Sequence, residues 1–127
     1  MLRVKRVYEP PSEEDGVRIL VDRLWPRGLT KDRVHAEAWR RDLAPSAELR
    51  AWFHHDMGKW DEFLRRYRAE LEASGGWQDL VSLADRARKE NVTLLFGSRD
   101  TEHNQAVALR EMALGREGPR SRKGEEG

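Results

Sequence analysis

Cysteine is absent from this chain of 127 residues. That excludes disulfides, thiolate metal ligands and a thiol nucleophile. No apolar stretch approaches the roughly 20 residues needed to cross a bilayer. The opening MLRVKRVYEPP lacks the apolar centre of a signal peptide. An excess of charge of one sign is missing too: 24 Lys and Arg face 23 Asp and Glu, for a net charge of +1. Gly115–Gly127 carries four of the basic and three of the acidic side chains, so the remainder is neutral. A neutral surface lacks the field that draws a protein onto nucleic acid or an acidic membrane. The chain has no G-x-G-x-x-G and no Walker loop, hence no standard nucleotide cradle. The expectation is a cytoplasmic protein with no cofactor, no membrane contact and no nucleic-acid partner.

Hydrophobic residues make up 38% of the chain and charged ones 37%, enough apolar material for one core. Two short apolar runs stand out because each breaks abruptly into charge. Val17–Asp22 is followed by Arg23-Leu24-Trp25-Pro26-Arg27-Gly28, and Val92–Gly97 by Ser98-Arg99-Asp100-Thr101-Glu102-His103-Asn104. Short runs apolar on both faces read as central strands covered on both sides. Open α/β sheets build their ligand crevices at the carboxyl ends of such strands.

Leu2–Tyr8 alternates and reads as a further strand. Residues 32–43 fit a helix or an edge strand. Ser46 is a good N-cap for a helix carrying Leu49, Trp52 and Phe53. Trp60, Phe63, Leu64, Tyr67 and Leu71 form a helical stripe that Gly75-Gly76 ends. A helix over 77–90 follows, with Trp77, Leu80, Val81, Ala84 and Ala87 on one face. A last helix, capped by Asp100 or Thr101, runs to about Leu114 and turns Ala106, Val107, Leu109, Ala113 and Leu114 inward. The fold class is therefore α/β: a small three-layer, Rossmann- or flavodoxin-like domain over residues 1–114. It has a short, mostly parallel sheet of three to four strands and four to five helices. Gly115–Gly127 reads as a disordered charged tail.

Several of these segments resemble a known family. Val17–Gly28, Ala44-Pro45-Ser46, Leu49–Asp56, Lys59-Trp60 and Glu102–Asn104 occur in the order of the YeaO-like bacterial proteins of unknown function, DUF 488. The Arg-Leu-Trp-Pro-Arg-Gly motif at 23–28 is the most specific. The resemblance covers about residues 1–115. It implies a small cytoplasmic α/β protein and brings no established activity. Met57 departs from the proline usual after the Asp, and Ser98-Arg99-Asp100 departs from the usual Ala-Lys-Asp. A related branch has Cys-His-Arg at the start of its last helix. Here that stretch is Asn104-Gln105-Ala106, so thiol chemistry does not carry over.

The candidate site follows from the two charged strand ends. Arg23, Arg27 and Arg99 have the guanidinium forks that match phosphate or carboxylate. Gly28 permits a tight turn, Trp25 offers a ring for stacking or a seal for the core, and Asn104 adds a polar contact. The alternative is that Arg23 and Arg27 pair with Asp22, Asp56 or Asp100 to pin loops to the sheet. His103, expected in the first turn of the last helix, is the candidate base, with Asp100 as its orienter. The positive end of a helix would there favour neutral imidazole. Asp22, His54 and Asp56 are secondary candidates, and no metal motif is present. The leading reading is a protein that binds an anionic small molecule between these segments, with a possible weak acid–base activity. The alternative is a non-catalytic interaction or regulatory module with an exposed apolar patch near Trp39 or Trp77. Nucleic-acid association comes last, because Arg65–Arg68 is interleaved with acids and Arg86–Lys89 suits a helix C-terminus. The sequence leaves the oligomeric state open.

Overall fold

Hydrophobic alternation turns into a sheet of four parallel strands in the computed structural model, which describes residues 1–54 and 56–115. Strands β1 (Leu2–Arg6), β2 (Val17–Leu20), β3 (Ala38–Trp39) and β4 (Val92–Phe96) lie in the order β1-β4-β2-β3. Strand β4 is central and pairs with both β1 and β2. Ile19 stands beside Leu94 and Leu20 beside Leu95. The carboxyl ends of β2 and β4 are therefore neighbours.

Five α-helices complete the described chain: α1 (Lys31–Val34), α2 (Ala47–Phe53), α3 (Trp60–Ser74), α4 (Gly76–Arg86) and α5 (Gln105–Gly115). Successive strand residues point to opposite faces. Val17, Ile19 and Val21 join Val92, Leu94 and Phe96 in the larger core, which α2 to α5 cover with Leu49, Phe63, Tyr67, Leu80 and Leu109. Leu20 and Leu95 face the other way, into a small core closed by Val7, Val34, Trp25 and Trp39. The sheet thus has one thick helical cover and one thin cover made of α1 and the loops around it.

A charge is buried under the thin cover. Arg18 of β2 donates from its guanidinium to the Val34 carbonyl and to Asp15, 2.5 Å away, and Lys5 also reaches Asp15. Burial alone would push the Asp15 carboxyl up. The bonds from Lys5, the Ser12 N–H and Arg18 outweigh it and hold the group below the usual carboxylate range.

Local signals act where expected in most of the chain. The Ser46 hydroxyl accepts from the Leu49 N–H and starts α2, and Gly75 ends α3 in the left-handed region. Several details differ. Residues 32–43 contain both expected forms, since α1 and β3 lie side by side in sequence and a 3-10 turn at Arg41–Leu43 follows. Helix α4 stops at Arg86 rather than near 90. Helix α5 begins at Gln105, because Asn104 is its cap and accepts from the Val107 N–H. Leu114, expected inside, is 53% exposed on the last turn. The expected charged tail, from residue 116 on, lies outside the described residues. Among the described residues no helix is long and apolar enough to cross a membrane.

Candidate functional site

The loops leaving β2 and β4 open onto a cleft of about 610 Å³. Asp22, two residues past β2, lines it where the two strand ends meet. Its Oδ2 accepts from the Gly97 N–H at 2.8 Å, and its Oδ1 accepts from the Gln105 side-chain amide of α5. Phe53 and Phe63 line an apolar part of the cleft and stack with centroids 4.4 Å apart. Arg23 comes from the loop after β2, Arg50 and His54 from α2 and its end, Arg99 and His103 from the loop after β4. His54 closes α2 in the left-handed conformation at φ 43°. His103 meets the Trp60 ring edge-on at 5.1 Å.

Burial pushes the Asp22 carboxyl up to about 6, against the hydrogen bond from Gly97, the nearby charge of Arg50 and the bond from Gln105. Neither Arg23 nor Arg99 has a carboxylate within salt-bridge distance among the described residues, and neither does Arg50. The alternative pairing of Arg23 and Arg27 with Asp22, Asp56 or Asp100 is not found among them.

Other predicted residues lie elsewhere or are already engaged. Trp25 belongs to the small core under the thin face. Its ring meets Trp39 edge-on at 5.3 Å and its Nε1 donates to the Leu29 carbonyl. It therefore closes that core and does not line the cleft. Arg27 is exposed outside the cleft, and its carbonyl accepts from the Tyr8 hydroxyl. Gly28 turns there with φ 81°. Asp56 caps the 3-10 turn at Met57–Lys59 through the Gly58 N–H and faces solvent. Asn104 lines the cleft, but its amide is used at both ends, donating to the Asp100 carbonyl and accepting from Val107. His103 is not in the first turn of α5, as the sequence suggested. It lies two residues before the helix, in a turn built on Asp100, whose Oδ1 accepts from the N–H groups of Glu102 and His103. The Nδ1 of His103 stands 3.9 Å from that oxygen, beyond hydrogen-bond reach.

Residues 1–125 match the family described as the inactive DUF488-N3 subclade. The chain belongs to this family. It is 42% identical to the uncharacterized protein YeaO of Escherichia coli K12 over 108 residues, covering 85% of this chain and 92% of the relative. It is 41% identical to the uncharacterized protein Rv3073c of Mycobacterium tuberculosis H37Rv over 115 residues, covering 91% and 95%. No solved structure matches.

Two cleft residues of this DUF488-N3 chain do not stand out in its sequence. Arg50 lies on α2 four residues before His54, which ends that helix, and both line the cleft; that spacing is the available signal. Gln105 gives none, since its role depends on where α5 docks. The latches that hold the two loops are equally silent in the sequence. Arg6 Nε donates to the Ser98 carbonyl at 3.0 Å, and its guanidinium lies over the Tyr8 ring. Among the described residues no group of three or more His, Asp or Glu is arranged to hold a metal ion.

Proposed function

We propose that this chain binds an anionic small molecule in the cleft at the carboxyl ends of β2 and β4. The observation that carries the reading is the set of three arginines, Arg23, Arg50 and Arg99, around one concave site without carboxylate partners among the described residues. Guanidinium groups with no carboxylate within salt-bridge distance, Arg50 acting on Asp22 through its charge alone, are ready to take an oxyanion bidentately. The apolar wall at Phe53 and Phe63 has room for an uncharged part of such a molecule.

An added acid–base step has less support. Asp100 spends its near oxygen on backbone N–H groups, and His103 Nδ1 stands 3.9 Å from that oxygen, longer than a hydrogen bond. The family is described as inactive, which favours binding without turnover. The interaction-module reading also loses ground. Arg41 covers Trp39 and Arg68 covers Trp77, at 4.9 and 4.2 Å, so neither ring forms a bare apolar patch. A cytoplasmic setting is part of the proposal.

Thermal shift and calorimetry with inorganic phosphate and citrate test it. A ligand at about 100 times its Kd adds about 2.7 kcal/mol to stability, an easily measured rise in Tm. Arg23→Ala and Arg99→Ala should each lower affinity with the far-ultraviolet spectrum unchanged. The reading fails if no anion in the panel raises Tm or releases heat.

A further inference from the structure

We propose that Asp22 makes this cleft selective for a tetrahedral oxyanion that carries a proton, such as hydrogen phosphate, over one that carries none, such as sulfate. The inference rests on the anion-binding reading of the same cleft and names the class of anion.

Asp22 supplies a carboxylate to a cleft whose arginines, Arg23, Arg50 and Arg99, are cations. A carboxylate in that position opposes an anion unless a hydrogen lies between them, so its geometry matters. The group is held at both oxygens, by the Gly97 N–H on Oδ2 and by Gln105 on Oδ1. A carboxylate oxygen has two lone-pair directions. Each oxygen of Asp22 therefore keeps one acceptor direction after its protein bond is made. A fully ionised oxyanion on the arginines would meet this carboxylate with no hydrogen between them, in a partly desolvated site where like charges repel strongly. An oxyanion that keeps one proton would donate it to Asp22 in a charge-assisted bond and offer its other oxygens to the guanidinium groups. Phosphate keeps a proton across the neutral range and sulfate does not, although both are tetrahedral dianions or nearly so.

Protonation of Asp22 itself should abolish the preference, since a neutral carboxyl can donate to either anion. Burial holds that carboxyl at about 6. The charged and titratable groups around it come from every neighbouring element. Arg23 follows it in sequence, Arg50 stands on α2, the buried Tyr67 phenol couples to it from α3, and Gln105 on α5 is neutral. The Tyr8 ring lies beside Gly97, and Arg99, His54 and His103 line the cleft around it. Phosphate itself passes from a dianion to a monoanion between neutral and acid pH whereas sulfate stays a dianion, so the ratio of the two affinities isolates Asp22 when wild type and Asp22→Asn are compared at one pH.

The experiment is calorimetric titration of the full chain with inorganic phosphate and with sodium sulfate, at about pH 7.5 and about pH 5, for wild type and Asp22→Asn. Wild type at the higher pH should prefer phosphate by roughly tenfold or more, the scale of one hydrogen bond to a charged group. At the lower pH, where Asp22 is largely neutral, the phosphate-to-sulfate ratio of wild type should converge on that of D22N. D22N should bind sulfate as well as phosphate at the higher pH, where both are mainly dianions. Equal binding of the two anions by wild type at the higher pH, or a preference kept by D22N, overturns the inference and leaves the anion site standing. Failure of wild type to bind either anion overturns the anion site and this inference with it.

Discussion

The Gly97 N–H donates to Asp22 Oδ2 across 2.8 Å, and this bond ties the end of β4 to the end of β2. A Cβ at residue 97 would itself stand 2.8 Å from the same oxygen, so glycine there leaves room for the carboxylate. The bond also holds an acid in a site that disfavours its charge. Burial raises the Asp22 carboxyl to about 6, whereas in an unfolded chain it titrates near 3.8. Between those two values the folded state keeps a proton that the unfolded state has released. Stability therefore falls as pH rises through that interval and stays lower above it. Asp22→Asn keeps an acceptor for Gly97 and has no charge to bury. The variant should be more stable than wild type by about 1–2 kcal/mol near pH 7.5, with partial solvation of the carboxylate already discounted. The difference should vanish near pH 4, where the folded wild-type carboxyl is neutral and most of the charge penalty is gone. Urea denaturation at the two pH values measures it. Equal stability at the higher value would mean that the carboxylate is not desolvated.

Sequence patterns succeed in this chain where the information is local. The two apolar runs, the Ser46 cap and the stripe from Trp60 to Leu71 each specify their element through neighbours in the chain. They fail where two local signals look alike. Asp100 satisfies the two N–H groups of a turn just as a helix cap would, so the pattern places the start of α5 there rather than at Asn104. Arg23 and Arg99 are legible because they follow strands that pair with each other. Arg50 is not, because whether α2 turns that face to the cleft is decided by packing of Leu49 and Phe53 into the core. Trp25 between two arginines reads as a ligand platform until Trp39 and Leu29 are seen to close around it.

Arg18 shows the same limit on the thin face, where a charge sits in a central strand at 5% exposure. Its carboxylate partner is Asp15, which Lys5 also touches. Removing one member of a buried pair leaves the other uncompensated. Asp15→Asn should cost about 3 kcal/mol or more at neutral pH. Because the native carboxyl is held below the usual range, its contribution is present above the unfolded value and is lost as pH falls through the folded one. The gap between wild type and D15N in urea melts should accordingly narrow on acidification. A gap that widens instead would mean that Asp15 is not the stabilised ion of this network.

Gly16 precedes β2 with φ 62° and ψ −126°, a conformation open only to glycine. A Cβ there would lie 2.2 Å from the Asn91 carbonyl oxygen, the acceptor for the Val17 N–H at the start of the β2–β4 pairing. Backbone cannot step aside as a long side chain can. Gly16→Ala should therefore destabilise by about 2–4 kcal/mol. Gly28 supplies the comparison: it has φ 81°, but a Cβ there would meet nothing within 4 Å. Gly28→Ala should cost only the conformational part, about 1–2 kcal/mol. Thermal melts of the two variants separate steric from torsional cost, and equal losses would remove the Asn91 contact from the account.

Arg50 links the electrostatics of the floor to those of the rim. Its charge is one of the influences holding the Asp22 carboxyl down against burial. Arg50→Ala should raise that carboxyl above its wild-type value of about 6, followed in a carboxyl-carbon nuclear magnetic resonance titration. The same change removes one of three cations from the cleft, so phosphate affinity should fall by roughly tenfold if the arginine contacts the anion. The two effects are separable. An upward titration shift with unchanged phosphate affinity would leave Arg50 as a neighbour of Asp22 and confine the anion contacts to Arg23 and Arg99.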